Sequence, residues 1–215
     1  MLEGLFPDGA VIEWGDPRDA AKPLFPEEEA LVKRAVPKRR RELEKGRECA
    51  RVALARLGVE AAPLLAGAKR EPLWPPGIVG SITHTAHLCI VAVARADRYA
   101  GLGIDAEPAE PLEPEIVGRI LRSDETIAPP PSIDAALVPR LVFCAKEAAY
   151  KCQFPLTRTL LGFEDVRVRL GEGVFEAELM RSAPPLSAGH ALSGRWLLER
   201  EHLVAAAWIE CGPAL

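Results

Sequence analysis

The feature that most constrains the fold of this chain is an unbroken apolar run, LCIVAVA, at residues 88–94. A strand is apolar at every position only where both of its faces are buried, so this run predicts a strand inside a sheet. Residues 78–85 and 101–107 predict strands before and after it, and Pro108 ends the later one. Upstream, residues 37–57 predict a long helix, because proline suits the first helical position and a glycine follows the last.

The second half of the chain repeats this order of a helix followed by antiparallel strands. Residues 135–152 have a helical pattern, and the segment GEG then joins two short strands within residues 166–180, as in a hairpin. A last hairpin is predicted within residues 195–209. Helices followed by runs of strands indicate an α+β protein, which we expect to divide into subdomains at residues 1–100 and 101–215.

The composition argues against several classes of function. The formal net charge of −4 disfavours a nucleic-acid-binding protein, although a local basic patch would still suit an anionic ligand. The five cysteines are odd in number and form no CxxC motif, which favours reduced, buried thiols. The N-terminus lacks the regions of a signal peptide, and no apolar run reaches the roughly 18 residues of a membrane helix. We therefore expect a cytoplasmic protein without membrane contact.

Two carboxylates lie on the predicted strand at residues 101–107. Because side chains alternate between the faces of a strand, Asp105 and Glu107 share one face, while the apolar residues between them point to the other. Adjacent carboxylates repel each other unless a cation lies between them, and Mg²⁺ and Mn²⁺ are hard cations that prefer oxygen ligands. The alternative is the solvated face of an amphipathic strand.

A second set of charges lies on the predicted helix at residues 135–152. Glu147 and Lys151 are four residues apart at the edge of its apolar stripe, so we expect both to be half-buried. They either form a helix ion pair, which contributes about 0.2–0.5 kcal/mol, or serve a metal–phosphate site with the strand carboxylates. Lys146 lies about 100° from Glu147 around the helix, so its link to such a site is weaker.

Basic residues in the N-terminal half are placed to bind an anion. Arg47 occupies an apolar-stripe position of the long helix, where an unpaired guanidinium is costly, so it needs either a phosphate or an internal carboxylate. Arg39 lies upstream on the same helix, and Lys69 and Arg70 lie in a Pro/Gly-rich connection, where ligand contacts are common. His84, at a strand end, either contacts a phosphate or is a hydrogen-bonded structural histidine.

Three segments stand out in order along the chain: GSITH at residues 80–84, GIDAE at 103–107 and FCAKEAAYK at 143–151. Each is weak alone, but together, at these separations, they resemble the Sfp-type 4′-phosphopantetheinyl transferases. The segments FPLT at residues 154–157 and LGFED at 161–165 resemble the actinobacterial branch, which is similar to enterobactin synthase component D.

The resemblance covers roughly residues 30–210 and implies a fold and a reaction. The implied fold has two similar α/β subdomains related by a pseudo-two-fold axis, with coenzyme A in the cleft between them. The implied reaction moves the phosphopantetheine arm of coenzyme A to a serine of an apo acyl or peptidyl carrier protein and leaves adenosine 3′,5′-bisphosphate. The alternatives are a metal-dependent hydrolase of coenzyme A and a non-catalytic module that binds carrier proteins.

The resemblance also implies roles for individual residues. Asp105 and Glu147, with Glu107 directly or through water, bind Mg²⁺, for which Mn²⁺ is the alternative. Glu147, or a water that it holds, takes the proton of the carrier serine, and Lys151 neutralises charge that develops on the phosphate. Basic side chains and one hydroxyl are expected to contact coenzyme A: Arg39, Arg47, Lys69, Arg70, Thr83, His84, Lys146 and Lys151.

The implied carrier partner is acidic and helical. We expect it to dock on the segment between Leu112 and Leu121 and on the Pro-rich loop that follows. Ile116, Val117 and Ile120 give this segment apolar anchors, for which packing into the protein's own core is the alternative. Because one chain supplies both halves of the site, a monomer is expected.

Overall fold

The computed structural model describes residues 2–125 and 127–212. The main elements, in chain order, are β1 (Val11–Gly15), α1 (Pro26–Glu29), α2 (Pro37–Arg56), β2 (Ile78–His84), β3 (Cys89–Arg95), β4 (Tyr99–Pro108), α3 (Pro114–Ile120), α4 (Val138–Thr157), β5 (Val166–Leu170), β6 (Val174–Leu179), β7 (Ala191–Glu199) and β8 (His202–Glu210). Single 3₁₀ turns lie at Ala30–Val32, Ala135–Leu137 and Phe163–Asp165. The α+β class is confirmed, because the helices pack on two antiparallel sheets.

The N-terminal sheet has the strand order β1-β3-β2. Every residue of β3 from Cys89 to Ala94 is fully buried, as its unbroken apolar run predicted for a central strand. The helix α2 covers one face of this sheet. It starts with Pro37 at its first position, and Gly58, with a φ of +70°, follows its end. Small buried residues such as Cys49 and Ala53 bring α2 close to the sheet.

The C-terminal sheet has the order β4-β8-β7-β6-β5, and α4 lies across β4 and β8. The predicted apolar stripe of α4 is fully buried, and it includes Leu141, Ala148 and Cys152. The helix continues past its predicted end, through Pro155 in its last turn, and stops where Arg158 takes up a left-handed conformation. Each half therefore has a long helix on an antiparallel sheet, but the N-terminal sheet has three strands and the C-terminal sheet has five.

The two sheets meet along β2 and β4 through side chains instead of a strand ladder. Ser81 Oγ accepts a hydrogen bond from the Ile104 N–H at 3.1 Å, and Thr83 Oγ1 accepts one from the Ala106 N–H at 3.3 Å. We call this line of contact the seam. It brings the end of β2, with His84, alongside the part of β4 that contains both strand carboxylates.

The N-terminal segment crosses from one half to the other. Leu2, Leu5 and Phe6 are buried in a cluster with residues of β4 and β8. The proposed division at residue 100 falls at the start of β4, just after the turn that joins β3 to β4. Within residues 2–125 and 127–212, none of the helices is both long and apolar enough to cross a membrane.

Candidate active site

Asp105 lies at the centre of the seam, with its side chain 7% exposed. Its Oδ1 accepts hydrogen bonds from Lys151 Nζ at 2.7 Å and from Thr83 Oγ1 at 3.0 Å. Its Oδ2 is also buried but has no hydrogen-bond partner among the described residues. An unpaired buried carboxylate oxygen is costly, so a cation or a donor at this point would be stabilising.

Lys151 reaches from α4 to β4 and pairs with Asp105 instead of Glu147, its neighbour one turn earlier on the helix. Its Nζ also donates to the Ile104 carbonyl oxygen at 3.2 Å. Burial disfavours the ammonium, but the charge and the hydrogen bond of Asp105 outweigh burial and raise the pKa of Lys151 above its ordinary value. Lys151 is therefore a permanent positive charge at the seam.

Glu147 and Glu107 lie near Asp105, and both have a raised pKa. Burial is the main cause of the raised pKa of Glu147, and the negative charge of Asp105 adds to it. The same two causes raise the pKa of Glu107, although Arg140 Nη1 donates to Glu107 Oε2 at 3.0 Å and partly offsets them. The charge of Asp105 thus makes both Glu107 and Glu147 harder to ionise.

The chemistry of these carboxylates fits a hard divalent cation. Over the part of the chain that the structure describes, no three metal-ligating side chains are already gathered around one point. The unpaired Oδ2 of Asp105 and the mutual repulsion with Glu107 and Glu147 are features that a bound Mg²⁺ would relieve. These three residues therefore could hold the cation that the sequence suggested.

A cavity of about 720 Å³ opens beside the seam in the N-terminal half. This volume lies in the range of roughly 300–1,000 Å³ that is usual for small-molecule and cofactor sites. Its lining is strongly basic, with one carboxylate, Glu42, against several cations: Lys33, Arg34, Arg39, Arg47, Arg70 and His84 when protonated. A lining of this kind suits a polyanionic ligand.

His84 is held neutral at the wall of this cavity. Arg39 Nη1 lies 2.6 Å from His84 Nε2, and because a guanidinium only donates, this nitrogen is the unprotonated one. The other ring nitrogen, Nδ1, is 3.7 Å from Glu42 Oε2. Burial lowers the pKa of His84, and the charge of Glu42 offsets this only in part. A bound phosphate at this wall would favour protonation of His84.

Both anions proposed for Arg47 are compatible with its position. Its Nε is 3.7 Å from the buried carboxylate of Glu28 but has no hydrogen-bond partner among the described residues. The oxygens of Glu28 instead accept from the Phe25 N–H at 2.9 Å, the Leu64 N–H at 2.8 Å and Arg51 Nη1 at 3.2 Å. Burial lowers the pKa of Arg47. Arg47 therefore has an internal counter-charge and also lines the cavity, and its Nε is unpaired among the described residues.

Two smaller pockets adjoin Glu147 on α4. The first, of about 210 Å³, has charged and aromatic residues in its lining: Lys69, Arg70, Glu147, Tyr150, Lys151 and Phe154. The second, of about 190 Å³, is mostly apolar and is lined by residues that include Tyr150, Leu160, Leu161 and Phe163. Glu147 and Tyr150 border both pockets. Arg70 and Ile82 border both the first pocket and the large cavity, so the three spaces form a series with the first pocket in the middle.

Two predicted ligand contacts have different positions from those expected. Thr83 is buried, and its hydroxyl is used between Asp105 and the Ala106 N–H, so it holds Asp105 in place. Lys146 Nζ points away from the seam and donates to Glu125 Oε2 at 2.8 Å and to the carbonyl oxygens of Ile120 and Phe163 at 2.8 and 3.0 Å.

Lys146 has internal partners for its ammonium group, although the residue also lines the pocket of about 190 Å³, and its contact with coenzyme A stays a prediction. Its side chain is 1% exposed, as is that of Glu125, and its three acceptors use the whole donor capacity of the ammonium. Burial lowers the pKa of Lys146, and Glu125 opposes this shift. The residue is an internal cross-link that ties α4 to the end of α3 and to the 3₁₀ turn at Phe163–Asp165.

Comparison with protein families covers both halves of the chain. Residues 27–94 match the 4′-phosphopantetheinyl transferase N-terminal domain, and residues 101–207 match the 4′-phosphopantetheinyl transferase superfamily. The chain belongs to the 4′-phosphopantetheinyl transferases. The family predicted from the three sequence segments is thus confirmed, and the protein is a transferase of this type.

Individual relatives of the transferase match nearly its whole length. It is 41% identical to 4′-phosphopantetheinyl transferase PptT of Mycobacterium tuberculosis, over 94% of this chain and 92% of the relative. It is 39% identical to 4′-phosphopantetheinyl transferase Svp of Streptomyces mobaraensis, over 100% and 91%. Enterobactin synthase component D of Salmonella typhi is 36% identical over 61% of this chain and 55% of the relative. These matches confirm the actinobacterial and component-D-like branch.

Sequence reasoning about the transferase missed two residues that organise the site. Arg140 binds Glu107, and Glu42 lies beside both Arg39 and His84. Helical spacing placed each of them on the same face as a predicted site residue. Arg140 is seven residues before Glu147 on α4, and Glu42 is three residues after Arg39 on α2. Spacing alone could not show which strand each helix face would meet.

Proposed function

We propose that this transferase moves the 4′-phosphopantetheine arm of coenzyme A to a serine of an apo acyl or peptidyl carrier protein and releases adenosine 3′,5′-bisphosphate. The observation that supports this best is the position of Asp105, Glu147 and Lys151 at the seam, between a basic cavity of about 720 Å³ and an apolar pocket of about 190 Å³. The two ends of coenzyme A differ in the same way, since one is a phosphorylated nucleoside and the other a neutral arm.

The order of the three spaces suggests how coenzyme A lies. The 3′-phosphoadenosine would occupy the large cavity, where Arg39, Arg47 and His84 supply donors for its phosphate. The diphosphate would lie in the middle pocket beside Lys151, with Lys69 and Arg70 at its mouth. The pantetheine arm would enter the apolar pocket next to Tyr150.

Asp105, Glu107 and Glu147 would hold Mg²⁺, or Mn²⁺ in its place. When bound, the cation would neutralise the diphosphate of coenzyme A. The chain's own residues have separate tasks. Thr83 and Lys151 fix one oxygen of Asp105 and leave the other without a partner among the described residues, while Arg140 holds Glu107.

Glu147 is the proposed base. A raised pKa makes a carboxylate a better proton acceptor than an ordinary glutamate, and Glu147 borders both smaller pockets, where the carrier serine would approach. The serine oxygen would attack the β-phosphorus, and the bond from this phosphorus to the bridging oxygen would break. Lys151 would stabilise the charge that develops on the phosphate.

We propose that the carrier protein docks on α3 and the Pro-rich loop after it. Within the predicted segment, Ile116 is exposed and Val117 half-buried, so these two could contact a partner. Ile120 and Leu121 instead pack against the core of the C-terminal half, which was the alternative to contact with a partner. A single chain contains every residue proposed for the site, which supports activity as a monomer.

The direct test is to incubate the protein with coenzyme A, Mg²⁺ and an apo carrier protein. We expect the carrier to gain about 340 Da, the mass of the transferred arm, and adenosine 3′,5′-bisphosphate to appear in equal amount. A reaction with chelator and one without enzyme are the controls. Release of phosphopantetheine without a gain in carrier mass would favour the hydrolase, and no turnover with a panel of carriers would contradict the proposal.

Replacement of Arg47 by alanine should weaken coenzyme A binding by about 1–3 kcal/mol, because one charge-assisted contact to phosphate is lost. Isothermal titration calorimetry measures this directly. The matched control is Arg51→Ala, since Arg51 binds the same carboxylate, Glu28, but is not among the described lining residues of the cavity. If both variants bound coenzyme A like wild type, Arg47 would be only a structural partner of Glu28.

A further inference from the structure

Arg140, in the first turn of α4, joins the end of β4 to the segment that leads into α3. Its Nη1 donates to Glu107 Oε2 at 3.0 Å. Its Nε donates to the Glu110 carbonyl oxygen at 3.0 Å, and its Nη2 donates to the Pro111 carbonyl oxygen at 3.3 Å. The side chain of Arg140 is 19% exposed. Because a guanidinium is planar and its donors point in fixed directions, it holds these three acceptors in one arrangement.

The backbone on either side of Glu107 is held by the C-terminal sheet. Glu107 is opposite Leu203 in the ladder between β4 and β8, and the Ala109 N–H donates to the Glu201 carbonyl oxygen at 2.8 Å. The carboxylate of Glu107 lies beyond this ladder, and its donor among the described residues is Arg140. The position of this carboxylate therefore depends on where the guanidinium of Arg140 lies.

The helix α3, in contrast, is loosely attached to the rest of the protein. Of its seven residues, all of which the structure describes, only Ile120 is buried. The segment before the helix is held by Leu112, which is half-buried, and by the two carbonyl oxygens that accept from Arg140. A helix this short has little stability of its own, so a partner that binds α3 can shift it with little loss of stability.

We propose that Arg140 is a positioning residue that couples docking of the carrier protein on α3 to cation binding at Glu107. The inference rests on the proposed function and its docking surface. A carrier bound to α3 would shift residues 110–111, the guanidinium would move with its two carbonyl acceptors, and the carboxylate of Glu107 would follow. The cation site would then be completed only when the carrier serine has arrived, which would disfavour hydrolysis of coenzyme A by water.

The test measures Mn²⁺ affinity with and without a carrier that cannot react. The carrier is an apo protein that wild type modifies, with its acceptor serine replaced by alanine, and coenzyme A is saturating throughout. The electron paramagnetic resonance signal of free Mn²⁺ gives the affinity. In wild type, we expect the carrier to raise this affinity about 5- to 50-fold, within the usual range for coupled sites. In Arg140→Ala, the carrier should no longer change it.

Three further variants separate this role from a general loss of structure. Arg140→Lys keeps a positive charge beside Glu107, but one nitrogen cannot reach three acceptors arranged around a guanidinium, so the carrier effect should be small and the melting temperature near that of wild type. Arg95→Ala removes a guanidinium that donates to the Leu57 carbonyl oxygen in the N-terminal half, and it should keep the full carrier effect. Ile116→Ala removes an exposed side chain of α3, so it should weaken carrier binding and leave Mn²⁺ affinity without the carrier unchanged.

The results distinguish a failure of this inference from a failure of the proposed function. If wild type modifies carriers, but R140A and R140K keep the carrier effect on Mn²⁺ affinity, Arg140 does not couple the two sites and the function stands. The inference is also wrong if wild type binds no Mn²⁺, if the carrier leaves its Mn²⁺ affinity unchanged, or if I116A binds the carrier as tightly as wild type. If wild type modifies no carrier, the function fails and the coupling fails with it.

Discussion

Replacement of Glu147 by glutamine should lower the rate of carrier modification about 100- to 10,000-fold, the usual contribution of a general base. Glutamine has nearly the same shape but accepts no proton and has no negative charge for a cation. Glu147 lies where both smaller pockets meet and near the unpaired Oδ2 of Asp105, so the substitution removes both proposed tasks at once. The measurement is single-turnover transfer to an apo carrier at saturating coenzyme A.

The same substitution should leave the fold at least as stable as wild type. Burial and the charge of Asp105 raise the pKa of Glu147 above its ordinary value of 4.5, so the folded protein disfavours the ionised form. Between 4.5 and the raised pKa, the folded state binds more protons than the unfolded state, and stability falls as the pH rises through this window. E147Q removes this penalty. At pH values above this window, E147Q should therefore melt at a higher temperature than wild type. At pH values below it, the two proteins should melt at the same temperature.

The control for Glu147 is Glu60→Gln, which alters an exposed glutamate outside the cavity and pockets. We expect E60Q to modify carriers at the wild-type rate and to melt at the wild-type temperature. Transfer by E147Q at the wild-type rate would show that Glu147 is neither the base nor a necessary metal ligand. A lower melting temperature for E147Q would show that its carboxylate has a stabilising partner.

Local pattern was sufficient to predict most of the fold, because burial and turn chemistry act over a few residues. Three local features predicted their elements correctly: the apolar run of β3, the proline at the start of α2 and the apolar stripe of α4. The packing of Leu2, Leu5 and Phe6 on the C-terminal sheet has no local signal, since it depends on residues about 100 to 200 positions away.

Partners of charged residues were harder to predict than their positions. Helical spacing placed Glu147 and Lys151 in reach of each other, but Lys151 pairs with Asp105. Asp105 is more deeply buried than Glu147, so its carboxylate gains more from the ammonium. Spacing likewise placed Lys146 on another face, yet its partner Glu125 lies in a loop 21 residues upstream. A sequence shows which charges need a counter-charge, and only the tertiary contacts show which one satisfies it.

Replacement of Gly103 by alanine should destabilise the protein by about 3 kcal/mol or more, because the new methyl group would overlap backbone instead of a movable side chain. A Cβ at this position would lie 1.9 Å from the Ala148 carbonyl oxygen and 2.6 Å from the Cys152 nitrogen. The helix α4 would have to move away from β4. For a domain of this size, the melting temperature should fall by roughly 6–12 °C.

The displacement of α4 should also disturb the proposed active site. This effect on activity distinguishes G103A from a variant that only loses stability. Asp105 is on β4, two residues after Gly103, while its partner Lys151 is on α4 at 2.7 Å, so separation of the two elements lengthens this contact. G103A should therefore modify carriers more slowly even at temperatures where it is folded. The matched control for stability is Gly118→Ala on α3, where no described residue lies within 4 Å of the added Cβ and alanine favours the helix by about 1 kcal/mol. Equal stability of G103A and wild type would mean that α4 does not pack on β4 at this distance.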